Sequence, residues 1–268
     1  QDFFRSGMQQ ARNDKVKGYI LTESDDKTRL ETLLDLLQRH HIDVYPLVRD
    51  WQDDNDRFTA GQSYYIPLQQ PQYRLIKAAF STEKNFRDNP FYDVSSWTLP
   101  YAYNIRYKAI SREPGKVVGE QRWVARPVHQ RQLQAGAYAY AFGWQDQQAP
   151  LLLNSLLAEG IAVRTALKDF TATTPDGDRG FKAGAMIIVA GQQQRTDWFS
   201  RLQQLQQQHG LPVLPIKTGL TKEGSDLGSN FIVPVNKPEV LLIAGPGVNS
   251  TEAGEVWYNL ERLAGVSP

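Results

Sequence analysis

The chain has 268 residues, 41% hydrophobic and 11% aromatic, which supplies enough apolar surface for a core and excludes global disorder. Its 30 basic side chains nearly cancel its 29 acidic ones, so the electrostatic footprint of a nucleic-acid-binding protein is missing. There is no cysteine, which excludes disulfides, thiolate nucleophiles and thiolate-bound zinc, and no apolar run approaches the roughly 18 residues of a membrane span.

In chain order, residues 17–21 predict a strand, followed by a polar turn at 23–26 with Ser24 or Asp25 as helix cap. Leu30, Leu33, Leu34, Leu36 and Leu37 then fall on one helical face, and residues 41–45 read as the next strand. Phe58-Thr59-Ala60-Gly61 turns into a strand at 63–66, and Gln69-Gln70-Pro71 leads to a helix over 73–80. Phe91, Tyr92 and Trp97-Thr98-Leu99-Pro100 form an aromatic cluster expected to pack between two halves. Residues 106–131 alternate polar and apolar around Pro114-Gly115, which predicts a β-hairpin excursion.

The same grammar then returns. A strand at 137–142, a turn at 144–148, a helix through Leu151, Leu152, Leu156 and Leu157 and a strand at 161–163 follow in order. Phe181-Lys182-Ala183-Gly184 leads into a strand at 185–189, and Gln192-Gln193-Gln194 into a helix over 198–208. Tyr19 precedes Ile42 by 23 residues, as Tyr138 precedes Ile161. A last strand at 239–245, a turn at 246–249 and a helix at 252–263 close the chain, which starts at Gln1 and reads as cut from a longer protein at both ends. Strands alternating with helices imply parallel crossovers. The expectation is an α/β fold of mainly parallel sheets with helices on both faces. It has two duplicated, flavodoxin-like halves, 1–105 and 136–268, separated by the excursion at 106–135.

Chemistry is sparse. The four histidines, His40, His41, His129 and His209, sit in no zinc-ligand frame, and three of them read as helix ends, where the backbone dipole favours imidazolium. Asp50, Asp53, Asp54 and Asp56 lack the Gly and terminal Glu of a calcium loop and read as a solvated loop. No Gly-x-Ser-x-Gly elbow occurs, and Ser250 and Thr251 read as part of a cap formed by Asn249 with Glu252. The candidate ligand-binding residues are Asp226, Ser229, Gly247, Asn249, Ser250 and Glu252, all near expected strand ends. The turn at 245–252 would offer backbone amides to a small anionic ligand or a carboxylate. A two-lobed binding module for a small molecule or peptide is one functional expectation.

Residues 61–71, 92–100 and 244–257, the last reading Ala-Gly-Pro-Gly-Val-Asn-Ser-Thr-Glu-Ala-Gly-Glu-Val-Trp, carry a resemblance. They resemble the region downstream of the catalytic domain in large bacterial zinc carboxypeptidase-like proteins, over about residues 17–263. The resemblance implies a fold similar to class I glutamine amidotransferase domains, export to the periplasm or beyond, and zinc held by the preceding catalytic domain. No zinc ligand carries over, and the amidotransferase cysteine has no counterpart in this cysteine-free chain. The functional expectation is a non-catalytic accessory domain that supports the catalytic domain of the same polypeptide or presents substrate to it.

Overall fold

In the computed structural model, which describes residues 2–53, 55–82, 98–125 and 132–268, the chain forms two compact units, Gln1–Arg126 and Pro127–Pro268. Unit 1 contains α1 (Asp2–Asn13), β1 (Gly18–Thr22), α2 (Lys27–Arg39), β2 (Tyr45–Pro46), β3 (Trp51–Gln52), β4 (Arg57–Phe58), β5 (Ser63–Pro67), α3 (Tyr73–Ala79), α4 (Leu99–Ala102) and β6 (Arg106–Ile110). Helix α2 begins where the Asp26 carboxylate accepts the Arg29 N–H at 2.9 Å, satisfying one of the free amides of the first turn. Its apolar stripe, Leu30, Leu33, Leu34 and Leu37, is buried against Tyr19, Leu21 and Ile66 of the sheet, each leucine contributing about 1.5–3 kcal/mol. The opposite sheet face, Ile20, Tyr65 and Ile110, packs on Leu47 and on Phe58 of the small hairpin β3–β4.

Unit 2 contains β7 (Ala139–Phe142), α5 (Ala149–Ala158), β8 (Arg164–Ala166), β9 (Phe170–Thr174), β10 (Gly177–Phe181), β11 (Met186–Val189), α6 (Trp198–His209), β12 (Leu214–Ile216), β13 (Glu223–Gly224), β14 (Ile232–Pro234) and α7 (Ser250–Tyr258). Helices α5 and α6 cover one sheet face through Leu152, Leu156, Leu202 and Leu205. The other face, Ala139, Ala141, Ile187 and Ile216, packs on Phe170 and Phe181 of the hairpin β9–β10.

The parallel sheets expected from the sequence are not there. Unit 1 has the order β2-β5-β1-β6 and unit 2 the order β12-β7-β11-β8-β14, and every neighbouring pair is antiparallel. The helix crossover does bring β2 back in the direction of β1. The next strand, β5, then inserts between the two, so each parallel pair is split by an antiparallel neighbour. This is the split β-α-β-β-α-β arrangement, with β1, α2, β2, β5, α3 and β6 in unit 1 and β7, α5, β8, β11, α6 and β12 in unit 2. Helices therefore cover one face and a hairpin the other, not helices on both faces, and the halves are not flavodoxin- or amidotransferase-like. An antiparallel sheet permits this asymmetry.

Three further expectations are corrected. Residues 106–110 are not part of an excursion but the strand paired to β1, and Val118 bridges to Leu47 beside β2. Residues 239–245 form no strand, and Leu241 is 88% exposed. The equal 23-residue spacing matches the wrong tyrosines. Leu68 N–H donates to the Lys17 carbonyl as Ala190 N–H does to that of Tyr138, so Tyr138 corresponds to Lys17, and Tyr140 to Tyr19.

Other equivalences follow the same bonding. Ile42 N–H donates to Leu37 and Ile161 N–H to Leu156, after a left-handed His41 (φ 57°) and Gly160 (φ 72°). Asp50 accepts the Ala60 N–H at 2.9 Å and Asp169 accepts that of Ala183 at 2.8 Å. Ile110 and Ile216 both end the strand beside β1 or β7, opposite Gly18 and Ala139.

Candidate functional site

One difference in loop length between the two units lies just after those isoleucines. In unit 1, six residues (111–116) lead from Ile110 to Val117, whose carbonyl accepts the Val48 N–H at 2.8 Å. In unit 2, 14 residues (217–230) lead from Ile216 to Phe231, whose carbonyl accepts the equivalent Leu167 N–H at 2.8 Å. The longer loop is built, not loose. Lys217 N–H donates to Thr173 at 3.0 Å and Lys222 N–H to Thr171 at 2.7 Å, and β13 pairs with β9, fastening the loop to the hairpin. Leu227 is buried, and its N–H donates to the Gly219 carbonyl at 2.9 Å.

Against Tyr138 this loop shapes an open hollow of about 610 Å³, lined by Tyr138, Thr218, Gly219, Leu220, Asp226, Gly228 and Ser229. Every lining residue except Tyr138 lies on the extra loop. Gly219 lets the Tyr138 ring lie on the backbone, since a Cβ there would sit 2.7 Å from the ring Cζ. Asp226 Oδ1 accepts the Thr221 N–H at 2.7 Å and its hydroxyl at 3.2 Å, which fixes the carboxylate. Ser229 Oγ accepts the Phe231 N–H at 3.3 Å, and Leu220 is 70% exposed.

Two of the six sequence candidates, Asp226 and Ser229, thus meet in the hollow. Gly247, Asn249, Ser250 and Glu252 do not line it; they sit at the start of α7, where the Asn249 side chain accepts the Thr251 N–H at 3.0 Å and the Glu252 N–H at 3.4 Å. Gly247 has φ 90°, and a Cβ there would meet nothing within 4 Å. Sequence reasoning missed Tyr138, Thr218, Gly219 and Leu220. The available signal was the unequal loop length between the repeats.

The remaining candidates hold structure. Asp50 pairs with Arg57 at 2.6 Å, and Asp53 and Asp56 both reach Lys108 at 2.6 Å. The Ala60 N–H and then Arg57 hold the Asp50 carboxyl below its ordinary value, and the Lys108 hydrogen bond does the same for Asp53. His40 caps α2, and His209 ends α6 with Nε2 2.9 Å from Ser155 Oγ. His129, Asp54, Phe91, Tyr92 and Trp97 lie outside the described residues. Among the described residues no three His, Asp or Glu side chains converge, so zinc has no fitting donor set there. No helix among them is long and apolar enough to cross a membrane.

Comparison with protein-family models, curated proteins and solved structures finds no match for this chain.

Proposed function

We propose that the chain is a non-catalytic accessory module that works by recognition, taking a peptide into the hollow of unit 2 and presenting it to a catalytic domain of the same polypeptide. The observation that carries recognition is the hollow itself, made by a loop that unit 1 lacks and that is hydrogen-bonded into one shape before any ligand arrives. Preorganisation of this kind lowers the ordering cost of binding. Support for a neighbouring peptidase comes from the motif resemblance at residues 61–71, 92–100 and 244–257 to zinc carboxypeptidase-like proteins, with zinc and an exported location belonging to that reading.

The test is a titration of the isotope-labelled chain with short peptides, read by amide chemical shifts, beside a hydrolysis assay on the same peptides. Shifts confined to residues 138, 218–220 and 226–229 without peptide cleavage are expected. Cleavage by the chain alone would overturn the non-catalytic reading, and a titration without shifts would overturn recognition.

A further inference from the structure

We infer that the occupant of the hollow is a peptide segment carrying a lysine or arginine side chain. This rests on the recognition reading above and names its ligand class. Three features of the lining converge on a cation with an apolar stem. Asp226 is the only charged residue of the lining, and among the described residues no ion pair engages it. At the hairpin junctions of the two units, by contrast, Asp50 and Asp169 are each matched by Arg57 and Lys182. One Asp226 oxygen is anchored by Thr221, so the group is oriented without being neutralised.

Tyr138, 44% exposed, supplies a ring to the same hollow, and ammonium or guanidinium groups are attracted to aromatic faces. Leu220 gives apolar surface for the methylene stem of a long basic side chain. A small anion is the wrong partner for this set.

The repeat supplies an independent argument. At the position of Tyr138, unit 1 has Lys17, whose ammonium donates to the carbonyls of Arg12 at 3.0 Å and Asp14 at 2.8 Å. There the chain provides its own cation and satisfies it internally. In unit 2 a tyrosine stands at the position of that lysine, and the added loop brings a carboxylate into the same hollow, which leaves the place of a cation open to another molecule.

The experiment titrates the full chain with the capped tripeptides acetyl-Gly-Lys-Gly-amide and acetyl-Gly-Arg-Gly-amide, and with the uncharged acetyl-lysine and norleucine versions. Amide shifts at 219 and 226–229 should saturate with the basic peptides, and raised salt should weaken them. Asp226→Asn, which keeps the oxygen that Thr221 donates to, should lower affinity for the basic peptides about tenfold, close to the tenfold step of 1.4 kcal/mol. Tyr138→Leu should lower it severalfold. Equal binding of the norleucine peptide, unchanged by Asp226→Asn, would overturn cation recognition while leaving peptide recognition standing. The absence of shifts with all four peptides would overturn both.

Discussion

Two glutamines show how much structure a single side chain can hold. Gln70 accepts the Asp43 N–H at 2.7 Å and donates to the carbonyls of Asp43 at 3.2 Å and Pro67 at 2.6 Å. Gln193 repeats the pattern with the Ala162 N–H and carbonyl, both at 2.9 Å, and the Val189 carbonyl at 3.0 Å. Each amide imitates a missing strand, tying the segment after α2 or α5 to the end of a central strand. Gln193→Ala removes three hydrogen bonds whose backbone groups are partly open to water and should cost about 0.5–1.5 kcal/mol in urea unfolding. A second prediction concerns His209, whose burial holds its pKa below the ordinary 6.5. The unfolded chain then takes up the proton first, so stability should be full above about pH 6.5 and fall as pH drops below it. Unfolding midpoints measured from pH 8 to 5 should show this slope in the wild type and a flatter one in His209→Gln. In the sequence the glutamine runs were visible only as turns, because nothing in a one-dimensional pattern says which backbone groups lack a partner.

Among the elements, the sequence made the helices α2, α3, α5 and α6 and the central strands legible; it missed α1 and the hairpins β3–β4 and β9–β10, offered a strand at 239–245 that is not there, and hid strand adjacency. The leucine stripe of α2, the Phe-x-Ala-Gly turns and the Asn249 cap are local signals and stand where their spacing puts them. Whether β5 lies outside β2 or between β2 and β1 depends on non-local pairing, and both choices bury the same alternating residues. Prolines held a clue: Pro215 and Pro234 sit in the two edge strands of unit 2, where a missing N–H interrupts no central ladder. The hollow depended on the same non-local information, since Tyr138 meets Gly219 across 81 positions of sequence. Replacing residues 217–230 by residues 111–116 should therefore leave the sheet of unit 2 intact by circular dichroism. It removes the buried Leu227, so stability should fall by about 1.5–3 kcal/mol, and peptide binding should vanish. Loss of cooperative unfolding in this variant would mean that the loop is part of the core.

At the scale of the whole molecule, each unit carries, among the described residues, its own pair of cores. In unit 1 the helix-side cluster around Leu33, Leu34 and Ile66 and the hairpin-side cluster around Ile20 and Phe58 draw all their buried members from residues within 1–126. In unit 2 the clusters around Leu152 and Ile188 and around Ala141 and Phe181 do the same within 127–268. Units of 126 and 142 residues are within the size range at which a single domain buries enough surface to fold alone, about two thirds of that exposed by the unfolded chain. Fragments 1–126 and 127–268 made separately should each unfold in one cooperative transition and give dispersed amide spectra. The second fragment holds every residue of the hollow and should bind the basic peptides as the full chain does. A fragment that binds hydrophobic dye and melts without a transition would show that its core is completed by the other unit. Fragment 127–268 folding normally but failing to bind would instead place part of the recognition surface in residues 1–126.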